Sequence, residues 1–208
     1  MRTEAGAALI ITLMLTTFLA FLGGALVFIM DIETAISANH QIAQEVHEAA
    51  EAGVNCAFAE LGATADWTSM PSGSTSPVLR CLDPTIPPRT PDGAPLDLAR
   101  LTSRRQADSD GRYGDGAANP DSPRWTVFAS GPIQSPSDHP RSYVIVWIAD
   151  DVDDGDGQPS QDSNGMLVVR AQAFGIRGAR STVETLVSRA DGEGTQPSAV
   201  HMVVWRME

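Results

Sequence analysis

The chain has 208 residues and a formal net charge of −12, and all 14 of its basic residues are arginines. This length allows one domain of ordinary size with an N-terminal extension. The acidic balance and the absence of a basic cluster in the sequence argue against nucleic-acid binding, because a phosphate backbone attracts positive charge.

The first predicted element is an apolar segment close to the N-terminus. No charged side chain occurs in the 26 residues from Ala5 to Met30. As an α-helix this run would measure about 39 Å, since each residue adds about 1.5 Å, and the hydrocarbon core of a bilayer is about 30 Å thick. A secretory signal has a shorter apolar region followed by a cut site. The sequence therefore predicts a membrane-spanning helix over residues 7–30.

The same helix is predicted to continue beyond the apolar run as an amphipathic helix over residues 31–61. Apolar or small side chains recur there at steps of three or four residues, at Ile32, Ala35, Ile36, Ile42, Val46, Ala49, Gly53, Ala57 and Leu61. Polar side chains, several of them glutamates, occupy the other face. Because many residues of the stripe are small, another helix could approach the backbone closely.

The segment "RTEAGAALIITLMLTTFLAFLGGALVFIMDIETAISANHQIAQEVHEAAEAGVNCAFAEL" resembles the N-terminal segment of PilX-type minor pilins of type IV pili, in the superfamily that also contains the pseudopilins. The matching features are a short leader ending in Gly6, the "AALI" that follows with its leucine-rich run, and "AAEAG" at residues 49–53. The resemblance implies that a prepilin peptidase removes the leader, residues 1–6, by cutting between Gly6 and Ala7. It also implies that the helix first anchors the chain in the inner membrane and later packs against other minor and major pilins.

The resemblance further implies a set of helix positions that contact neighbouring subunits. They are Ile11, Ala35, Ile42, Val46, Ala49 and Gly53. Ile11 stands at the fifth position after the expected cut, where major pilins carry a glutamate, and this departure favours a role in priming or capping the filament tip. The expected location is a single pass through the inner membrane, with the N-terminus cytoplasmic and the head periplasmic, and then the pilus at the cell surface.

Two cysteines, Cys56 and Cys81, are the next candidate site. Their separation does not fit the CxxC spacing of a zinc ribbon or a redox pair. In an oxidising compartment they could form a disulfide, and closing such a loop would stabilise the chain by roughly 3 to 4 kcal/mol. Two buried free thiols are the alternative.

The rest of the chain, residues 62–208, is predicted to form a β-rich periplasmic or extracellular head. Up to Pro140 the sequence is dense in proline and glycine, which favours turns and loops, with a short helix at Leu96 to Arg105. Five β-branched and aromatic runs then follow with short connections, at residues 125–130, 142–149, 165–175, 180–189 and 200–206. This pattern predicts an antiparallel meander. The expected fold class is α+β, with the long helix packed on an antiparallel sheet as in type IV pilins, and with residues 46–61 covering one sheet face.

An acidic loop separates two of these predicted strands. The sequence "ADDVDDGDGQPSQDSNG", residues 149–165, contains six aspartates. The spacing does not fit an EF-hand, but clustered carboxylates repel one another unless water or a hard cation such as Ca²⁺ neutralises them. The candidate ligands are Asp151, Asp153, Asp154, Asp156 and Asp162. A solvated acidic hairpin tip is the alternative interpretation, and calcium is the one cofactor that the sequence suggests.

No catalytic motif is recognisable in the sequence. "HEAAE" at residues 47–51 has Glu51 where the HExxH metalloprotease motif has its second histidine, and no GxSxG or Walker sequence occurs. We therefore expect a non-catalytic minor pilin that takes part in pilus assembly. The alternatives are a minor pseudopilin of a type II secretion system and a single-span, membrane-anchored binding module such as a calcium-dependent adhesin.

Overall fold

The computed structural model describes residues 3–73, 81–133, 142–190 and 199–207. The described elements are the helices α1 (Thr3–Ala63) and α2 (Leu98–Tyr113), and the strands β1 (Thr126–Pro132), β2 (Tyr143–Asp150), β3 (Met166–Phe174), β4 (Arg180–Ala190) and β5 (Ala199–Met207). Short 3₁₀ turns occur at Met70–Ser72 and Ile176–Gly178. Residues 1 and 2 of the predicted leader lie outside the described residues.

The chain divides into two units, residues 1–41 and residues 42–208. The described part of the first unit consists of α1 residues alone. The second unit begins inside α1 at Ile42, about twenty residues before the position at which the sequence suggested that the head starts. The C-terminal third of α1 therefore belongs to the head.

The five strands form one antiparallel sheet in the order β1-β2-β3-β4-β5. The predicted meander is confirmed, and each strand lies within two residues of the run that predicted it. Consecutive strands can pair in this order because antiparallel neighbours need no crossover connection. The α+β layout of a long N-terminal helix and an antiparallel sheet is thereby confirmed.

One face of the sheet packs against the C-terminal third of α1. Val144, Val146 and Ile148 point to this face from β2, and they share a buried cluster with residues of α1, β1, β3 and β4. The α1 residues buried in this cluster are Val46, Ala49, Ala50, Val54, Ala57 and Leu61. Their spacing of three, four and seven residues puts them on one side of a helix, so the predicted cover over residues 46–61 is confirmed.

The opposite face of the sheet packs against α2. The alternate residues of β2, Tyr143, Ile145, Trp147 and Ala149, form a second buried cluster that includes Leu98 and Leu101 of α2. Because both faces are covered, every residue of β2 is buried.

The predicted short helix over residues 96–105 ends too early, because α2 continues to Tyr113. Asp97 begins the helix as its N-cap, and its carboxylate accepts a hydrogen bond from the backbone N–H of Arg100 at 3.0 Å. The helix ends before Gly114, whose φ of 88° is a conformation that favours glycine.

Candidate functional site

The first candidate site is the part of α1 that precedes the head. Every residue from Ala7 to Ser37 is exposed. The exposed set contains seventeen large apolar side chains: Leu9, Ile10, Ile11, Leu13, Met14, Leu15, Phe18, Leu19, Phe21, Leu22, Leu26, Val27, Phe28, Ile29, Met30, Ile32 and Ile36. Exposed apolar surface of this extent marks a region that contacts lipid or protein. The helix is long and apolar enough to cross a membrane.

Polar side chains within this apolar segment satisfy their own hydrogen bonds. The hydroxyl of Thr12 donates to the carbonyl oxygen of Ala8 at 3.1 Å, and that of Thr16 donates to the carbonyl oxygen of Thr12 at 3.0 Å. Thr17 and Thr34 donate one turn back in the same way. A hydroxyl paired with its own helix has little need of water, so these threonines are compatible with an apolar environment.

The structure separates the six predicted assembly positions into two groups. Ile11 and Ala35 are exposed, whereas Val46, Ala49 and Gly53 are buried in the head, and Ile42 is half-buried beside them. The predicted outward role of Val46, Ala49 and Gly53 must therefore be corrected, because the sheet of the same chain covers them. Of this set, only Ile11 and Ala35 are exposed. Gly6 and Ala7, the expected processing residues, lie in the first turns of α1.

The helix α1 approaches the sheet closely at Gly53. A Cβ atom at this position would lie 2.7 Å from Cγ1 of Val144 and 3.2 Å from Cβ of Ala171. Glycine therefore permits the helix to pack near β2 and β3. The small residues of the lower stripe serve this internal contact.

Cys56 and Cys81 form a disulfide with a Cα–Cα distance of 6.3 Å. The predicted pairing is thus present, and it excludes the alternative of two free thiols. Cys56 lies on α1, and Cys81 is followed by Leu82, which forms an isolated bridge with Ile133 beyond the end of β1. The disulfide therefore fixes the segment around Cys81 to α1, and the Leu82–Ile133 bridge fixes the same segment to the residue that follows β1.

The second candidate site is the acidic loop between β2 and β3. Side-chain oxygens of the loop organise its backbone: Asp151 accepts from the backbone N–H of Asp153 at 3.1 Å, and Asp162 accepts from those of Gly165 and Met166 at 2.8 and 3.1 Å. Asp154 accepts from both the backbone N–H and the hydroxyl of Ser163. These bonds fold the loop back on itself.

Two further hydrogen bonds attach the acidic loop to the rest of the head. The backbone N–H of Asp162 donates to the carbonyl oxygen of Thr68 at 3.1 Å, in the segment that follows α1. The backbone N–H of Gly157 donates to Oδ1 of Asp121 at 2.6 Å, in the segment that follows α2. The loop therefore joins the two helical layers at the end of the sheet where β2 finishes.

The structure brings only some of the predicted metal ligands together. Carboxylate oxygens of Asp154 and Asp156 lie within 4.8 Å of each other and of an oxygen of Asp150. Asp151 and Asp162 are buried, and their carboxylates accept hydrogen bonds within the loop, while Asp153 is exposed. The predicted ligand set omits Asp150, because the sequence places this residue directly after the apolar run at residues 142–149.

Burial and nearby carboxylates change the acidity of the loop. Burial raises the pKa of Asp150 to about 8, and the charges of Asp154, Asp162 and Asp151 act in the same direction. Burial also raises the pKa of Asp162, although backbone N–H groups that donate to its carboxylate oppose the change. A cation would favour the ionised form of both groups.

A buried ionic cluster lies on the α2 side of the sheet. The guanidinium groups of Arg105 on α2 and Arg170 on β3 both donate to Oε2 of Glu184 on β4, at 3.0 and 2.9 Å. The Arg105 guanidinium also stands 4.3 Å from the centre of the Trp125 ring. No local sequence pattern predicts this cluster, since its members are 14 to 79 residues apart.

His47, the first residue of the "HEAAE" sequence, contacts the sheet. Its Nδ1 lies 3.2 Å from Oγ of Ser181 on β4, and its Nε2 lies 3.4 Å from Oε1 of Glu51. The ring thus packs between α1 and β4.

Comparison of the chain with protein-family models, with curated proteins and with solved structures finds no match. The fold and the two candidate sites are therefore the basis for a functional assignment.

Proposed function

We propose that this chain is a non-catalytic minor pilin of the type IV pilus that primes or caps the filament tip. The proposal is supported by the resemblance of residues 2–61 to PilX-type minor pilins and by the exposed apolar segment of α1. The observation that carries most weight is the change in burial along one helix, which is exposed on all sides at residues 7–37 and has one face buried against the sheet from Val46 onward.

The free energy of exposing apolar side chains to water explains why this segment needs an apolar environment. Moving a large apolar side chain out of water contributes about 1.5 to 3 kcal/mol. Seventeen such side chains are exposed between residues 7 and 37. Their transfer into lipid or into a helical bundle is therefore favourable by tens of kcal/mol on this order-of-magnitude scale. Both environments are needed by a subunit that is first anchored and then assembled.

The division of α1 between two units also fits a subunit with a separate head. The head buries its own part of α1 at Val46, Ala50 and Val54. The preceding segment is left for lipid and neighbouring helices. In this proposal the N-terminus is cytoplasmic, the head is periplasmic, and assembly places the head at the cell surface.

Intact mass and N-terminal sequencing of the protein extracted from membranes test the proposal directly. We expect a mature N-terminus at Ala7, because the proposed processing removes residues 1–6. An intact leader on the membrane-bound protein would favour a single-span anchored binding module. Release from the membrane after a cut near residue 30 would contradict both functions.

A pair of substitutions tests whether the exposed helix takes part in assembly. Ala35 and Ser37 are both exposed, and because they are two positions apart in the helix, they point in directions about 200° apart around its axis. We expect Ala35→Gln to reduce incorporation into pili, whereas the matched control Ser37→Gln should assemble normally. Membrane levels of both variants are measured by immunoblot, so that loss of assembly is distinguished from loss of the protein. Equal assembly of both variants would contradict the assigned face.

Pili and type II pseudopili are distinguished by the cellular phenotype. Deletion of the gene should abolish or reduce surface pili and leave protein secretion unchanged. A secretion defect with normal piliation would assign the chain to a secretion system.

A further inference from the structure

Asp150 is an unusual residue in the head because its buried carboxyl group is only partly hydrogen-bonded: the backbone N–H of Asp151 donates to it, but its Oδ1 has no partner among the described residues. It is the last residue of β2, and only 2% of its surface is exposed. Buried carboxylate oxygens are ordinarily hydrogen-bonded or paired with a cation, since burial without a partner costs several kcal/mol on the usual order-of-magnitude estimate.

The nearest charged groups increase the imbalance at Asp150. Oxygens from Asp150, Asp154 and Asp156 all lie within 4.8 Å of one another. The groups that act electrostatically on Asp150 are the carboxylates of Asp154, Asp162 and Asp151, and all of them are negative. Three carboxylates that converge in this way repel one another unless a proton or a cation neutralises part of the charge.

The ligand atoms indicate which type of cation fits. All three groups are carboxylates, which are hard oxygen ligands, and none is a histidine or cysteine of the kind that zinc prefers. Calcium accepts oxygen ligands at about 2.3 to 2.6 Å in irregular arrangements, so ligand oxygens up to about 5 Å apart can share one ion. Magnesium needs a more regular octahedron with shorter bonds, and it keeps several waters.

We propose that Asp150, Asp154 and Asp156 bind one Ca²⁺ ion at the end of β2. This inference goes beyond the proposed role in the pilus and does not depend on it. The ion neutralises the buried carboxylate and holds the acidic loop against the strand. Because the loop also bonds to Thr68 and Asp121, the ion stabilises the contact between the sheet and the two segments that follow the helices.

Calcium binding is measured on the full chain in detergent micelles after removal of divalent ions with EDTA and dialysis. Titration calorimetry with calcium chloride gives the affinity and stoichiometry, and tryptophan fluorescence gives the thermal unfolding midpoint. We expect one calcium ion per chain and a higher midpoint in its presence, because a ligand that binds only the folded state stabilises it.

Three aspartate variants locate the site. Asp150→Asn and Asp154→Asn should each lower the calcium affinity by about tenfold or more, since each removes a charged ligand. Asp153→Asn is the matched control: Asp153 is exposed, lies in the same loop and stands outside the three ligands. This control should keep its affinity within about threefold of the original chain, because it loses an equal charge without losing a ligand.

Several results would overturn the assignment. They are the absence of saturable binding at millimolar calcium, unchanged affinity in Asp150→Asn, an equal loss in Asp153→Asn, or equal affinity for magnesium. If Asp150→Asn fails to fold, Asp154→Asn and Asp156→Asn decide the question, because both side chains are less buried. Failure of these tests would leave the proposed pilus function untouched, and failure of leader processing would leave the calcium site untouched.

Discussion

Substitution of Gly53 by alanine tests the packing of α1 on the sheet, because two effects oppose each other there. Alanine in place of a helix-interior glycine favours the helix by about 1 kcal/mol. The added Cβ, however, would lie 2.7 Å from Cγ1 of Val144 and 3.2 Å from Cβ of Ala171. Val144 is fully buried on a central strand and has a stiff branched side chain, so it has little room to move.

The expected net effect of Gly53→Ala follows from these two terms. Overfilling a packed core by one methyl group costs about 1 to 3 kcal/mol. Subtracting the gain in helix propensity leaves a destabilisation of about 0 to 2 kcal/mol, centred near 1 kcal/mol. For a unit of this size, 1 kcal/mol lowers the thermal midpoint by about 2 to 4 °C.

The assay is thermal or urea unfolding of the full chain in micelles, followed by the fluorescence of the buried tryptophans. Gly62→Ala is the matched control on the same helix, because its added Cβ would meet only Cγ2 of Val200 at an ordinary 3.8 Å. We expect this control to be neutral or slightly stabilising. In a Val144→Ala background the steric cost should largely disappear, so Gly53→Ala should become neutral or favourable there. If Gly53→Ala raises stability as much as the control does, the close approach to β2 is refuted.

Three further predictions concern the interior of the head. Glu184→Gln should destabilise the head by about 3 to 5 kcal/mol, because it removes the carboxylate that pairs with the buried Arg105 and the partly buried Arg170, and urea unfolding measures the loss. An effect below about 1 kcal/mol would contradict the importance of that pairing. Replacement of Cys56 and Cys81 by serine should lower the stability by roughly 3 to 4 kcal/mol, since the unfolded chain is then no longer cross-linked between two residues that are 25 apart in sequence. Unchanged stability of the double variant relative to the oxidised chain would contradict the estimate. In calcium-free buffer, protonation of Asp150 stabilises the folded chain fully below the ordinary pKa of 3.8, and this contribution is lost as the pH rises through about 8. Between these two values the free energy of unfolding should fall by up to about 1.4 kcal/mol per pH unit. The variant Asp150→Asn should not show this component, and identical pH profiles of the two proteins would exclude a raised pKa at this residue.

Much of the fold was predictable because its signals are local. The uncharged run over residues 5–30 predicts a helix that can cross a membrane, and β-branched and aromatic runs bounded by turn residues predict the five strands. Short connections between the strands then favour a meander. Each of these inferences uses residues that are close in sequence, so no knowledge of distant contacts is needed.

The extent of α2 and the exposed part of the stripe on α1 depend on contacts between residues that are distant in sequence. Leu98 and Leu101 pack on β2, which supports a helix whose composition is largely polar. The periodic stripe on α1 does not reveal where a chain's own sheet begins to cover it. That is why Ala35 and Val46 have the same pattern in the sequence, although one is exposed and the other is buried.

The sequence by itself determined the long helix, the five strands, their order and the acidic character of the β2–β3 loop, because hydrophobic periodicity and turn residues act over a few positions. Only the tertiary structure decided that Gly53 lies against Val144, that Arg105 meets Glu184, and that Asp150 converges with the loop carboxylates. The physical reason is that burial and charge pairing depend on which distant segments come together. Those distances are set by packing the two helices on opposite faces of one sheet.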